Sequence, residues 1–326
     1  MRTLSVTKEQ SGQRLDKFLQ KYLSQAPKSF LYRMLRKKNI VLNGKKSDGS
    51  EKIAVGDEIK LFLSDDTIEK FSRKARTFPY RRLDVIYEDE HVLIVNKPSG
   101  MLSQKAKPED ISLNEYVIGY LIHENRLTED TLFTFRPGIC NRLDRNTSGL
   151  VLAGKTVTGL QEMSALLKER RVHKYYLCLV HGRVEKGQTI RGYLHKNEKC
   201  NKVEVYQTQL PGTSYIETSY EPLCTNGKFT LLKVLLTTGK THQIRSHLAS
   251  EGHSIVGDGK YGSRGLNEPV CKKYGLQYQL LHSWKLSFPL LETPFEGLSE
   301  KTVTAPPPKL FERILQGEQL GGVDLL

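Results

Sequence analysis

Cysteine is scarce in this sequence of 326 residues, and its five cysteines are widely spaced with no C-x-x-C pair. Their odd number and spacing disfavour both a disulfide framework and a zinc site. The sequence also lacks a run long and apolar enough to cross a bilayer, and its start, MRTLSVTKEQSG, lacks the apolar segment of a secretion signal. These absences predict a cytoplasmic protein without a metal or a membrane association.

Acidic residues are outnumbered, with 36 Asp and Glu against 50 Lys and Arg, which leaves a formal charge of +14. The excess is concentrated near the start, since residues 1–60 hold 14 basic and 6 acidic side chains. Clustered Lys and Arg gain affinity for a polyanion by displacing counterions from its phosphates. The charge pattern therefore favours a nucleic-acid partner, although a charged, solvated surface is the simpler alternative.

The length of the chain exceeds that of a usual single domain, and changes in its composition and hydrophobic pattern divide it into segments. Residues 1–63 predict a small α/β domain. Residues 64–82 mix charged residues with Ser, Thr and a single Pro, which is typical of a linker that lets the basic domain move. In residues 83–300 strand-like and helical stretches alternate, which predicts an α+β domain. Residues 301–326 are assigned to a C-terminal tail without a predicted function.

Helical spacing of apolar residues predicts a first helix from Arg14 to Leu23. A second helix is expected to begin near Ser29, as its N-cap, and to run to Lys38 with several basic side chains. The next run, IVLNGKK, predicts a strand that enters a turn at Asn43–Gly44, and AVGDEIKLFL predicts the returning strand.

The order of these elements, RLDKFL, SFLYRMLRKKNIVLNGKK and VGDEIKL, resembles the small RNA-binding module named after ribosomal small-subunit protein four. The resemblance covers residues 12–63 and implies that this domain holds structured RNA through basic side chains. Solvated basic helices are common, so some of these side chains have the alternative role of keeping the surface soluble. The candidate phosphate contacts are Arg33, Arg36, Lys37, Lys38, Lys45 and Lys46.

A polar segment rich in turn formers, residues 136–149, runs directly into the apolar strand-like residues 150–153. Within it Asp144 stands between Arg142 and Arg145. Nearby cations favour the ionised form of a carboxylate, which is the form needed of a nucleophile. From the local sequence alone, a loop aspartate that caps a turn is the more economical reading.

The segment NRLDRNTSGLVLAGKT resembles the signature of the RluA-type pseudouridine synthases, usually written His-Arg-Leu-Asp followed by Thr-Ser-Gly. This resemblance implies a mixed, largely antiparallel sheet with a central cleft, and an enzyme that isomerises specific uridines of RNA to pseudouridine. Such an isomerisation demands neither a cofactor nor a metal. Further blocks fall in the order of that family, namely LDVIYEDEHVLIVNKPSGMLS, VHKYYLCLVHG, LLTTGKTHQIRSHL, GDGKYG and LHSWKLSFP.

The same resemblance implies roles for individual residues. Asp144 is the expected nucleophile, and Arg245 the expected partner that holds it charged and aimed. Arg142 is expected to fill the space left by a flipped nucleotide or to hold its phosphate. Tyr176 is expected to stack on the target uracil and is a candidate base for the carbon-bound proton. Lys174 is placed with the substrate-binding residues, although anchoring of its strand is the favoured role.

The sequence departs from the family pattern at two positions. Asn141 stands where the family usually has His, and Lys240 stands where Arg is common. Neither change removes the nucleophile, but Asn141 leaves open how the loop is braced. His242, His247 and His253 invite a metal-site interpretation, yet no carboxylate or cysteine lies at matching spacing, so core or RNA-facing histidines are expected.

The sequence offers two competing functions. The string from Gly149 to Thr156 fits the phosphate-loop pattern G-x-x-x-x-G-K-[ST], but its middle residues are apolar and strand-like rather than a flexible loop, so nucleotide binding is rejected. The other alternative is a non-catalytic RNA-binding ribosome-assembly factor. Asp144 argues against it, because a pure RNA binder has no use for a carboxylate facing phosphates. The expected enzyme is a monomer that acts on large-subunit ribosomal RNA, with transfer RNA as the other candidate and the target uridine left open.

Overall fold

The computed structural model describes residues 1–72, 77–197, 202–322 and 325. The chain begins with a four-stranded antiparallel sheet in the order β1-β4-β2-β3, which two helices cover. These elements are β1 (Arg2–Ser5), α1 (Leu15–Tyr22), α2 (Lys28–Arg36), β2 (Ile40–Leu42), β3 (Lys45–Lys46) and β4 (Glu58–Leu61).

Local signals in this N-terminal unit were largely predictive. Helix α1 buries the predicted apolar face, and Asn43 and Gly44 both have positive φ, as the tight β2–β3 turn requires. The expected N-cap of α2 is wrong, because the helix already begins at Lys28 and Ser29 lies inside it. Pro27 occupies the capping position, where its fixed φ of −58° and missing N–H cost nothing.

The segment expected to be a linker contains a further helix, α3 (Asp65–Phe71). The Ser64 hydroxyl caps it by accepting the Thr67 backbone N–H at 3.3 Å. Ile68 is fully buried in the core of the N-terminal unit, and the ring of Phe71 lies 4.8 Å from that of Phe30. Residues 64–72 therefore fold with the N-terminal unit, which corrects the start of the linker, while the division into two domains stays a prediction.

The N-terminal unit also contacts the rest of the chain. The buried amide of Gln10 donates to the buried hydroxyl of Thr134 at 2.7 Å. The carbonyl of Glu9 accepts the Val157 N–H at 3.1 Å, which satisfies an otherwise unpaired donor in the first turn of a helix. These contacts hold the unit against the larger domain, whereas the sequence suggested that it could move.

The larger domain is built on an eleven-stranded sheet whose main path runs β11-β10-β12-β13-β9-β14-β8-β6-β5. Strands β7 and β15 pair with β8 and β14 beside this path. The strands are β5 (Val85–Glu88), β6 (Val92–Lys97), β7 (Gly138–Ile139), β8 (Ser148–Gly154), β9 (His173–His181), β10 (Gln188–Asn197), β11 (Lys202–Tyr206), β12 (Ser214–Thr225), β13 (Phe229–Leu236), β14 (Leu281–Ser287) and β15 (Thr302–Thr304).

All the described strand pairs in this sheet are antiparallel except β14 with β8, which is parallel. The predicted mixed, largely antiparallel α+β fold is therefore confirmed. The helices of this domain are α4 (Leu113–His123), α5 (Glu129–Leu132), α6 (Val157–Lys168), α7 (Gln243–Ser250), α8 (Arg264–Tyr274) and α9 (Lys309–Gly317).

The phosphate-loop string lies mostly in strand β8. Every residue of β8 is buried, so the residues that would have to cradle phosphate instead form the middle of the sheet. Lys155, the would-be phosphate ligand, donates to Glu88 at 2.6 Å. The rejection of nucleotide binding at this string agrees with the fold.

The last residues are part of the large domain rather than a separate tail. Strand β15 extends the sheet beside β14, and α9 packs Phe311, Ile314 and Leu315 into a core beneath β9 and β13. The buried His282 links this region to the sheet, since its Nδ1 pairs with the Ser148 hydroxyl at 2.9 Å and its Nε2 with the Ala305 carbonyl at 3.1 Å.

Gly149 makes the parallel β14–β8 junction possible. Its φ is +112°, and a Cβ at this position would lie 2.2 Å from the carbonyl oxygen of Ser283. We expect Gly149→Ala to lower the free energy of unfolding by about 3 kcal/mol or more, because backbone strain and a steric clash act together. Urea denaturation measures this, with Gly275→Ala as control, since Gly275 has a φ of +69° but open space around it. An equal loss in both variants would contradict the clash.

Candidate active site

Asp144 lies in the loop between β7 and β8, with a quarter of its side chain exposed (26%). Two side chains hold this loop, namely Lys97 at the end of β6 and Ser103 in the β6–α4 connection. The Ser103 hydroxyl donates to the Leu143 carbonyl at 2.8 Å, and the Lys97 ammonium donates to the Arg145 carbonyl at 3.2 Å. The residues on both sides of Asp144 are thus fixed by side chains from elsewhere in the chain.

Lys97 is fully buried and was not among the predicted site residues. Its ammonium also donates to the carbonyls of Pro98 at 3.0 Å and Met101 at 2.9 Å. Burial lowers the pKa of Lys97 to about 7, and the nearby negative charge of Asp144 acts in the opposite direction. Lys97 stands in the LDVIYEDEHVLIVNKPSGMLS block, but only the fold shows that it supports the Asp144 loop.

Asn141 braces the start of the loop. Its side-chain oxygen accepts the Leu152 N–H at 2.8 Å, and its side-chain nitrogen donates to the Leu150 carbonyl at 3.3 Å. The amide thus imitates a strand that pairs with β8. Because an amide carries a donor and an acceptor side by side, Asn can make this double contact without a change of protonation. The loop is therefore braced by Asn141 itself, although the family usually has His at this position.

Arg245 joins two carboxylates. Its Nη1 donates to Asp144 Oδ2 at 2.9 Å, while Nε and Nη2 donate to Asp258 at 2.7 and 3.0 Å. The structure therefore places Arg245 beside Asp144 as the sequence suggested. The contact with Asp258 is bidentate, which suits the planar guanidinium and fixes its orientation.

Asp258 is fully buried and was missed by the sequence analysis, although it stands in the noted GDGKYG block. Burial by itself would raise the pKa of Asp258, but Arg245 and the backbone N–H groups of Lys260 and Tyr261 outweigh it and lower that pKa. Both backbone contacts fall on Oδ1, at 2.9 and 3.1 Å. The Asp258 carboxylate can then anchor Arg245.

His242 is the N-cap residue of helix α7 and has a left-handed conformation, with φ of 53°. Its Nε2 lies 3.7 Å from Asp144 Oδ2, and its Nδ1 pairs with the Tyr261 hydroxyl at 2.8 Å. Burial lowers the pKa of His242; Asp144 raises it and Arg245 lowers it further. Within the described residues no group of three or more His, Cys, Asp or Glu side chains could hold a metal ion.

Tyr176 lies on β9 opposite Ser283 of β14 and lines the same cavity as Asp144. It is almost fully buried, and this burial raises its pKa to about 12 despite a contact with the Ser283 hydroxyl that lowers it. Tyr175 is not among the residues that line this cavity, and the Lys233 ammonium lies 5.1 Å from the centre of its ring. The two tyrosines therefore have different surroundings, because successive side chains of a strand point to opposite faces of the sheet.

The cavity above Asp144 has a volume of about 510 Å³, within the range of ligand sites. Tyr176, Leu236, Ile244 and Leu281 supply apolar surface. Basic side chains also border it, and of these Arg142 is exposed while Lys174 is partly buried. Burial, with help from Arg170, lowers the pKa of Lys174. The basic residues around the cavity are Arg142, Lys168, Arg170, Lys174, Lys240 and Arg245.

The predicted RNA-contacting residues of the N-terminal unit all have exposed side chains. They come from α2, from the turn after it and from β3. None of them lines the cavity of Asp144, so the candidate site and the candidate RNA surface are separate features. The exposed residues are Arg33, Arg36, Lys37, Lys38, Lys45 and Lys46.

Comparison with protein families supports the assignment that the fold and the carboxylate site suggest. Residues 91–250 match the family described as RNA pseudouridylate synthase. The chain is 31% identical over 324 residues to "Ribosomal large subunit pseudouridine synthase C" of Vibrio vulnificus, covering 96% of this chain and 95% of that protein. A Buchnera aphidicola protein of the same name is 30% identical, with 87% and 88% covered.

Solved structures agree with the fold. "Human RNA Pseudouridylate Synthase Domain Containing 4" superimposes with a TM-score of 0.57 at 19% identity, covering 72% of this chain and 92% of that one. "Human RNA Pseudouridylate Synthase Domain Containing 1" gives 0.51 at 21% identity, covering 74% and 96%. The fold is that of a class of RNA-modifying isomerases. The chain belongs to the RNA pseudouridylate synthase family, which confirms the resemblance to the RluA-type enzymes.

No helix among the described residues is long and apolar enough to span a membrane.

Proposed function

We propose that this pseudouridine synthase acts on large-subunit ribosomal RNA and uses Asp144 as its nucleophile. The observation that carries the proposal is the clamp of Arg245, which holds Asp144 at 2.9 Å within a cavity rimmed by cations. The substrate class rests on the names of the Vibrio and Buchnera relatives, which match nearly the whole chain.

The reaction balances without a co-reactant. The bond between N1 of uracil and C1′ of ribose breaks with help from the Asp144 carboxylate, uracil turns, and a bond forms between C5 and C1′. The proton on C5 then leaves and N1 gains one, so the product is an isomer of the substrate. Arg245 pairs with the carboxylate and directs it at the sugar, and Arg142 at the rim supports a flipped nucleotide.

Tyr176 fits a stacking role better than that of a base. A phenol whose pKa is about 12 is neutral near pH 7 and accepts a proton poorly, but its ring remains available to the flipped uracil. Lys174 on the same strand lies at the edge of the cavity and is assigned to a phosphate or to its own strand rather than to chemistry.

The experiment that tests the proposal uses unmodified total RNA from a strain without this gene. Purified wild-type protein is incubated with it, and pseudouridine is mapped by carbodiimide-stop sequencing. New stops in large-subunit ribosomal RNA are expected. Stops in transfer RNA alone would overturn the substrate class. RNA binding without any stops would favour a ribosome-assembly factor instead.

The N-terminal unit is assigned to RNA binding, in line with its resemblance to the module of ribosomal small-subunit protein four. Its exposed basic side chains lie on a separate unit that packs against the catalytic domain. Phosphate contacts made there contribute affinity without sequence information. The protein is expected to work as a monomer.

Replacing Arg33, Arg36 and Lys37 by alanine is expected to weaken RNA binding while kcat at saturating RNA stays unchanged. Each lost phosphate contact reduces the salt slope of the binding constant by about 0.7 to 0.9. Binding titrations at several salt concentrations measure this. A matched control replaces Lys186, Lys272 and Lys301, which are equally exposed on the larger domain. Equal slopes in both triple variants would show that the N-terminal unit does not contact phosphates.

A further inference from the structure

A second cavity of about 470 Å³ adjoins the active site. Its wall is formed by buried apolar side chains, among them Val95, Met101, Leu276, Leu280 and Phe311. The cavity is partly open to solvent, so it is a cleft that a ligand can enter rather than an enclosed packing void. An apolar cavity of this size, with a few polar groups at its edge, is typical of a ligand site.

The cavity is a close neighbour of the Asp144 loop. Leu281 lines both cavities. Lys97 also lines the second cavity, and its ammonium donates to the Arg145 carbonyl in the Asp144 loop at 3.2 Å. The second cavity therefore lies beside the loop that carries Asp144.

The entrance carries positive charge and an aromatic ring. Arg81 and Arg82 are exposed, and Arg81 is oriented by the ring of Tyr116, whose centre lies 5.7 Å from its guanidinium carbon. The ring of Tyr278 lies against Gly100, where a Cβ would be 3.2 Å from the tyrosine hydroxyl. Among the described residues that line the cavity, Asp84 is the one carboxylate, and it already accepts the Asn96 amide at 3.0 Å.

We propose that this cavity receives a second unstacked base of the RNA, one that flanks the target uridine. Arginine pairs with phosphate and stacks on bases, and aromatic rings accept bases that have left the helix stack. The apolar cavity therefore suits a base, and the cationic entrance suits the phosphate of the same nucleotide. The inference rests on the proposed function, since it concerns how the same RNA is held.

The test requires the target uridine, mapped as described above, and a synthetic stem-loop that contains it. Single abasic nucleotides are placed at each flanking position in turn. With wild-type enzyme, one position is expected to raise KM about tenfold, as loss of one stacked base does. No sensitive position would overturn the proposal.

A variant that fills the cavity links this effect to the structure. Leu310→Trp enlarges a partly buried side chain that lines the cavity, and Arg82→Ala removes a cation from its mouth without touching the core. Both are expected to raise KM on the intact stem-loop and to show no further loss on the sensitive abasic stem-loop. Leu290→Trp, at an exposed leucine outside the cavity, is the matched control.

The outcomes separate two failures. If wild-type enzyme forms no pseudouridine in any RNA, the proposed function fails. If the wild type is active but both cavity variants respond to abasic substitution as the wild type does, the cavity takes no base and only this inference falls. Thermal unfolding of each variant shows whether it is folded. If Leu310→Trp does not fold, Arg82→Ala alone still decides the test.

Discussion

Asp144→Asn is expected to abolish pseudouridine formation, with a fall in the single-turnover rate on the order of 10⁴-fold or more. The amide preserves the shape of the side chain but offers neither the charge nor the nucleophilic oxygen. Arg245 still has Asp258 as a partner, so the fold around the site should persist. RNA affinity should stay within about threefold, or rise slightly, because a negative charge that faces phosphate has been removed.

The measurement follows from the chemistry of the reaction. Since C5 of uracil loses its hydrogen on forming the new bond, RNA labelled with tritium at C5 releases the label with each turnover. Asp66→Asn, at an exposed position on α3, serves as the control and should react like wild type. Residual turnover of Asp144→Asn above a hundredth of the wild-type rate would show that another group is the nucleophile.

Asp258→Asn is expected to produce the second large effect, although Asp258 touches no part of the open cavity. The substitution breaks the buried Arg245–Asp258 ion pair and leaves Asp144 as the charged partner of Arg245. Breaking a buried ion pair costs about 3–5 kcal/mol of unfolding free energy. The guanidinium should also lose its fixed orientation, so that Asp144 is held less well. We expect kcat to fall by about 100-fold with little change in KM.

Two readouts separate positioning from mere stabilisation. Urea denaturation gives the loss of stability, and single-turnover rates below the unfolding transition give the activity of folded molecules. Arg245→Lys is the companion variant, because an ammonium keeps the charge but cannot bridge two carboxylates with three directed N–H groups. A folded Asp258→Asn protein with the wild-type kcat would reduce Asp258 to a purely structural residue.

Local signals in the sequence were enough for the secondary structure near caps and turns. The helix predicted from Arg14 to Leu23 is α1, at Leu15–Tyr22, and the turn predicted at Asn43–Gly44 joins β2 to β3. The start of α2 was misplaced because Ser29 is a favoured N-cap residue, whereas the residue that occupies the N-cap position is Pro27. The helix within the expected linker was missed because its burial depends on only Ile68 and Phe71, which pack against a core that is made by other elements.

The site was predictable only as far as resemblance reached. The resemblance to the RluA-type enzymes predicted that Asp144 pairs with Arg245, 101 positions away in the sequence, and the structure shows the two side chains in contact. Lys97 and Asp258 stood in recognised blocks, but nothing local reveals that one would support a loop 48 positions away and the other an arginine 13 positions away. Such contacts are fixed by packing of distant elements, which periodicity and capping signals do not encode.

The parallel pairing of β14 with β8 has a consequence for how the protein is made. The two strands are separated by more than 120 residues of chain, and β14 begins only at Leu281. A ribosome that synthesises this chain therefore completes most of it before the Asp144 loop acquires its neighbour at Leu281. Since distant pairings form slowly, the nascent enzyme should emerge inactive and gain activity only as its last 46 residues, from Leu281 onward, are released.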